Sequence, residues 1–131
     1  LSWFDHSPLL NALQKLKDRK VRIVITSDHG TVRVQNPSKI IGDKATTTNL
    51  RYKTGKNLNF NEKEVFFVKN PEEALLPKSN LSSSYVFAKE DYYFCYPNNY
   101  NHFVNYYRNT FQHGGVSIEE MIVPVAVFES K

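Results

Sequence analysis

The stretch VRIVITSDHG, Val21 to Gly30, decides how the rest of the chain is read. Val21 to Ile25 is apolar except for Arg22. An apolar run of strand length, without polar alternation, is the habit of a strand covered on both faces, as in a parallel sheet. A helix leads directly into it. Ser7 is a good N-cap and Pro8 suits the first helical position. Leu9, Leu10, Leu13 and Leu16 then recur at helical spacing, and Lys17 to Lys20 close the helix on a mostly basic, solvated stretch. A helix followed at once by such a strand is half of an α/β unit. The expected fold is α/β with a mainly parallel central sheet.

Beyond that unit the sequence is rich in short β signals. Thr31 to Val34, Val65 to Val68 and Pro124 to Phe128 read as strands, with a short one near Leu50 to Tyr52 in an otherwise polar loop from Gly42 to Gly55. Tyr85 to Ala88 and Tyr92 to Tyr96 are aromatic-rich strands, and Lys89-Glu90-Asp91 between them fits a hairpin turn. Asn36-Pro37-Ser38 is turn chemistry. Asn70-Pro71-Glu72-Glu73 opens a helix that Pro77 stops early. Phe103, Tyr107 and Phe111 recur every four residues, which allows a helix. Ser117 and Glu120 match a capping box, with room for about one turn before Pro124. There are no internal repeats, low-complexity tracts or obvious linkers.

A chain of 131 residues, 40% of them hydrophobic, is enough for one domain with a sizeable core. Its apolar runs are far too short to span a bilayer. No basic segment followed by an apolar run marks a signal peptide. Cys95 is the sole cysteine, so no disulfide forms within the chain and a reducing, cytoplasmic compartment is expected. The first residue is Leu1, which suggests a processed chain, a proteolytic fragment or an excised domain. Net charge is +4, too mild to mark a nucleic-acid binder by itself. The charge is uneven, however. Lys39, Lys44, Arg51, Lys53 and Lys56 face only Asp43 across one short stretch.

The residues with chemistry to offer fall at two places. Asp28 and His29 follow the apolar strand and precede Gly30, which permits a turn, and ligand sites in open α/β sheets form beyond the carboxyl ends of strands. A capped turn with an exposed histidine fits the same residues. His113 precedes Gly114 and Gly115, which let backbone pass close to a ligand. Asp28, His29 and His113 offer the carboxylate oxygen and imidazole nitrogens that zinc takes, though zinc needs about four ligands. His6 is a weaker fourth candidate, whereas Cys95 and His102 read as packing side chains. Lys44, Arg51 and Lys53 are candidates to receive a substrate phosphate, Arg51 through a bidentate fork and the lysines as point charges. The alternative for them is a solvated loop. The tyrosines from Tyr92 to Tyr107 can stack bases, but core packing explains each of them as well.

TSDHG and HGGVSIEEMIVPV together resemble the PglZ group of the alkaline phosphatase superfamily. GDKATTTNLRYKTGK and YPNNYNHFVNYYRNTFQHGG look like the effector domain of PorX-type response regulators, found in bacteria with type IX secretion. The resemblance covers nearly the whole chain. It implies that residues 1–131 are the C-terminal part of an alkaline-phosphatase-like domain, a metal-dependent phosphodiesterase or phosphatase acting on oligonucleotide phosphodiesters. Two zinc ions are implied in the intact domain, with Asp28 and His29 on one and His113 on the other. The family's nucleophile and its Asp-x-x-x-His motif have no counterpart here, so no catalytic residue is assigned and the isolated chain is expected to be inactive. Implied partners are the rest of the same domain, an upstream receiver domain and a second copy in a homodimer, with no membrane. The alternative implied function is a catalytically inactive regulatory module that binds protein in type IX secretion signalling.

Overall fold

A computed structural model describes residues 2–43, 46–78, 80 and 82–129. They form two compact units, one from 2–28 with 124–129 and the other within 29–123. In the first unit, α1 (Ser2–Asp5) precedes α2 (Pro8–Leu16). Ser7 is extended, and its Oγ accepts the Leu10 N–H at 3.3 Å while Pro8 opens the helix. Such a cap stabilises a helix by about 1 kcal/mol. Leu13 and Leu16 of α2 share one hollow with Val21, Ile23 and Phe128, so the helix turns its apolar stripe towards the strands.

Those strands are β1 (Arg22–Thr26) and β9 (Val125–Glu129). They pair antiparallel, from Arg22 opposite Glu129 to Thr26 opposite Val125. The expectation of a mainly parallel sheet is therefore corrected. Among the described residues there are five strand pairings, and only β3 (Asn36–Lys39) with β7 (Tyr92–Cys95) is parallel. The physical reason is visible in β1. Ile23 and Ile25 are half-buried while Arg22, Val24 and Thr26 are exposed, so the strand is not covered on both faces. Its apolar run reported a demand for burial, and that demand does not specify the direction of a partner.

The second unit is built from short ladders around three apolar clusters. β6 (Ser84–Ala88) lies between β4 (Tyr52–Gly55) and β5 (Val65–Val68), antiparallel to both. β2 (Val32–Arg33) pairs with β8 (Phe111–Gln112). β7 is buried on both faces. Tyr93 and Cys95 join Val32, Val34 and Val104 in one cluster, and Phe94 joins Ile40, Val65, Val86 and Ala88 in another. The third cluster is Val68, Tyr85 and Phe87. β6 and β7 do not form the expected hairpin with each other. β6 takes β4 and β5 as neighbours and β7 takes β3, and the chain between them turns through Glu90 at φ 42°. β3 forms where Asn36-Pro37-Ser38 predicts a turn, and its Pro37 is tolerated in a two-stranded parallel ladder.

Helical pieces close the unit. Pro71–Ala74 is one 3₁₀ turn, ended by Leu75 at φ 55° before Pro77 is reached. α3 (Tyr100–Tyr107) packs Val104 into the first cluster, and the Tyr93 hydroxyl donates to the Val104 carbonyl at 2.7 Å. α4 (Ile118–Met121) is the single turn expected before Pro124. Among the described residues no helix is long and apolar enough to cross a membrane.

Candidate functional site

The fold brings His29 and His113 together although 83 positions separate them in the numbering. Their rings stack with centroids 3.9 Å apart and planes 10° from parallel. His29 Nδ1 lies 2.8 Å from the Gly30 carbonyl, which can only accept, so Nδ1 carries the proton. Gly30 lets this segment approach α4: its N–H donates to the Glu120 carbonyl at 2.9 Å, and a Cβ there would overlap the Glu119 carbonyl oxygen. Asp28 belongs to the other compact unit.

This arrangement corrects the zinc expectation. Among the described residues no group of three or more His, Cys, Asp or Glu side chains can hold a metal ion. Zinc needs about four donors, with each histidine lone pair aimed at the ion from roughly 2.0–2.1 Å. Imidazole lone pairs lie in the ring plane. Two nearly parallel planes stacked face to face do not converge on one such point, and among the described residues neither ring belongs to a group of three donors that could hold an ion of its own. His6 joins no such group among the described residues, and its Nδ1 lies 2.9 Å from the Ser2 carbonyl.

Of the three basic residues proposed for phosphate, Lys44 lies outside the described residues. The other two are interior. Arg51 has no exposed surface. Its Nε and Nη2 form a fork on Glu120, at 2.9 Å to Oε1 and 2.8 Å to Oε2. Nη2 also donates to the Glu90 carbonyl at 2.8 Å, and Nη1 to the Tyr92 carbonyl. Glu120 is equally enclosed, and it accepts the Gly115 N–H at 2.9 Å and the Ser117 N–H at 3.2 Å. Burial alone would raise the Glu120 carboxyl, but the Arg51 fork, the Gly115 N–H and the Arg51 charge together hold it below its ordinary value. Gly115 has room for nothing larger, because a Cβ would sit 2.5 Å from Glu120 Oε2. Gly115 thus serves the ion pair, while Gly114, at φ 101°, faces Asn49 and Tyr52.

Lys53 is also fully buried. Its Nζ donates to the Thr47 carbonyl at 2.8 Å and lies 4.7 Å from the Tyr96 ring centroid. Burial pushes it down to about 8, against a smaller upward pull from Cys95. Burial likewise pushes the Cys95 thiol up to about 11, which suits an inert packed side chain.

What residue-by-residue reading missed is an exposed apolar face beside this buried pair. Phe111 is 68% exposed, Ile118 72%, Met121 68% and Ile122 67%. Glu120 was legible only as a helix cap. The signal for the face was present in SIEEMI, where Ile118, Met121 and Ile122 stand at i, i+3 and i+4 and so share one side of the turn.

Residues 5–128 match the family described as the BREX system PglZ alkaline phosphatase-like domain. Comparison with curated proteins finds no match.

Proposed function

Because the chain belongs to the PglZ family of alkaline phosphatase-like domains, we propose that it is a regulatory, protein-binding module on that fold, without turnover of its own. The observation that carries this reading is the apolar surface of Phe111, Val116 and Ile118, which line one groove, with Met121 and Ile122 exposed at the end of the same α4 segment. Scattered exposed apolar side chains are ordinary, but a run of large ones on a braced segment marks a surface for a partner. The bracing is the Arg51–Glu120 pair directly behind α4. The donor set points the same way, since among the described residues no group of three or more His, Cys, Asp or Glu side chains could hold a catalytic ion.

The likeness of the Gly42–Lys56 and Tyr96–Gly115 segments to PorX-type effector domains supports a setting in response-regulator signalling linked to type IX secretion. In this reading residues 1–131 are the C-terminal part of a larger domain. The exposed Val24, Val125 and Val127 of the β1–β9 ribbon support that, because a two-stranded ribbon does not cover its own apolar faces.

The test is hydrolysis of bis-p-nitrophenyl phosphate and of short oligonucleotides, with zinc, manganese or magnesium supplied. The expected rate equals that of a His29→Ala/His113→Ala double variant. Turnover by the wild-type chain that the double variant loses would overturn the module reading.

A further inference from the structure

One broad groove in the second unit, roughly 970 Å³, combines the apolar face with charge of the wrong sign for this chain. It is lined by Arg33, Glu90, Asp91, Phe111, Ile118 and Glu119, among others. Three carboxylates therefore face one guanidinium, in a chain whose net charge is +4. The Asp91 carboxylate is oriented by the Asn36 amide at 2.9 Å. Val116, 37% exposed, extends the apolar floor between Phe111 and Ile118.

Both walls are fixed from behind by one side chain. The Arg51 guanidinium holds the Glu90 carbonyl on one wall and, through Glu120, the α4 turn that carries Ile118 and Glu119 on the other. A groove whose walls are already set loses little entropy on binding.

We infer that this groove receives a short segment of a partner protein carrying both apolar anchors and basic side chains. Apolar anchors cover Phe111, Val116 and Ile118, while lysine or arginine meets Glu90, Asp91 and Glu119. The inference rests on the reading of the chain as a binding module and names its partner class. Charge complementarity selects this occupant over an acidic one, which the chain's overall charge would otherwise attract.

The experiment uses three labelled 12-residue synthetic peptides: alternating leucine and lysine, alternating leucine and glutamate, and alternating serine and lysine. Fluorescence anisotropy gives affinity, and backbone amide shifts give location. The leucine–lysine peptide should bind at least tenfold tighter than either other peptide, with shifts centred on residues 90–91 and 111–119. Glu90→Lys/Glu119→Lys should weaken it about tenfold or more, and Ile118→Asp should abolish it, with circular dichroism unchanged in both. No binding, equal binding of the acidic peptide, or shifts elsewhere would each overturn the inference. So would a concentration-dependent dimer that Ile118→Asp dissolves, since the occupant would then be a second copy. Failure here without turnover in the hydrolysis assay sinks the groove alone. Turnover with the peptide still bound sinks the module reading and leaves the groove as a site.

Discussion

Lys53 should make the chain more stable as pH rises from 7 to 9, a range in which an unperturbed surface lysine would change nothing. Burial lowers its value from 10.5 to about 8. Between those two values the unfolded chain holds a proton that the folded chain has released. Stability therefore increases with pH across that window. Below about 8 the ammonium is charged in both states, and the whole cost of burying it is present. At ~1.4 kcal/mol per pH unit the full cost is roughly 3 kcal/mol, of which about 1 kcal/mol is relieved between pH 7 and pH 9. Cys95 acts with the opposite sign. Its thiol rises from 9.0 to about 11, so the folded state keeps a proton the unfolded state loses, and stability falls across that higher window. The interval from 8 to 9 therefore belongs to Lys53. Urea unfolding followed by far-ultraviolet circular dichroism at pH 7, 8 and 9 and constant ionic strength measures it. Wild type should gain about 1 kcal/mol, and Lys53→Met should gain none, because methionine keeps the stem and lacks the titrating group. Parallel slopes in the two proteins, or a wild type that loses stability over the same interval, would refute the reasoning.

Glu120→Gln should cost about 3–5 kcal/mol in urea unfolding, because it leaves the enclosed Arg51 charge without its carboxylate. In wild type the Glu120 contribution is complete above the ordinary carboxyl value of 4.5 and is lost as pH falls through its lower folded value, so an acid titration of Glu120→Gln should lack that step. Gly115→Ala should destabilise by about 1–3 kcal/mol, since the new methyl presses on Glu120 Oε2, and a double-mutant cycle with Glu120→Gln should show strong coupling. Arg22→Ala should change stability by less than about 1 kcal/mol, because its 2.6 Å pair with Glu129 is mostly exposed.

Local chemistry was legible in the sequence wherever a residue's role is set by its neighbours along the chain. Ser7 and Pro8 start α2, Val65–Val68 is a strand over the expected span, and Glu120 reaches back to the Ser117 N–H. Pairing was not legible. The run Val21 to Ile25 announces a strand, but only the fold reveals that β9 runs antiparallel beside it. β3 was hidden because Asn36–Lys39 carries turn residues, and its strand geometry comes from the ladder with β7. Arg51 was visible as charge, while its partner lies 69 residues away. A formal charge tells nothing of whether water or a buried carboxylate will meet it. The two histidines are the mixed case. Their meeting follows from the fold, and their face-to-face stacking is a feature that spacing does not encode.

The β1–β9 ribbon also sets an order of events at the ribosome. Arg22 and Glu129 are 107 positions apart, whereas the unit from 29–123 is one uninterrupted stretch. At about 5–20 residues per second, β1 is made some 5–20 seconds before its partner strand exists. The middle of the chain can fold during that wait. Ile23, Val24 and Ile25 cannot pair with β9 until residues 125–129 have been made, so β1 is secured only after every strand of the 29–123 unit exists. For that interval they form an open apolar edge, and a chaperone that guards this chain during synthesis would act there.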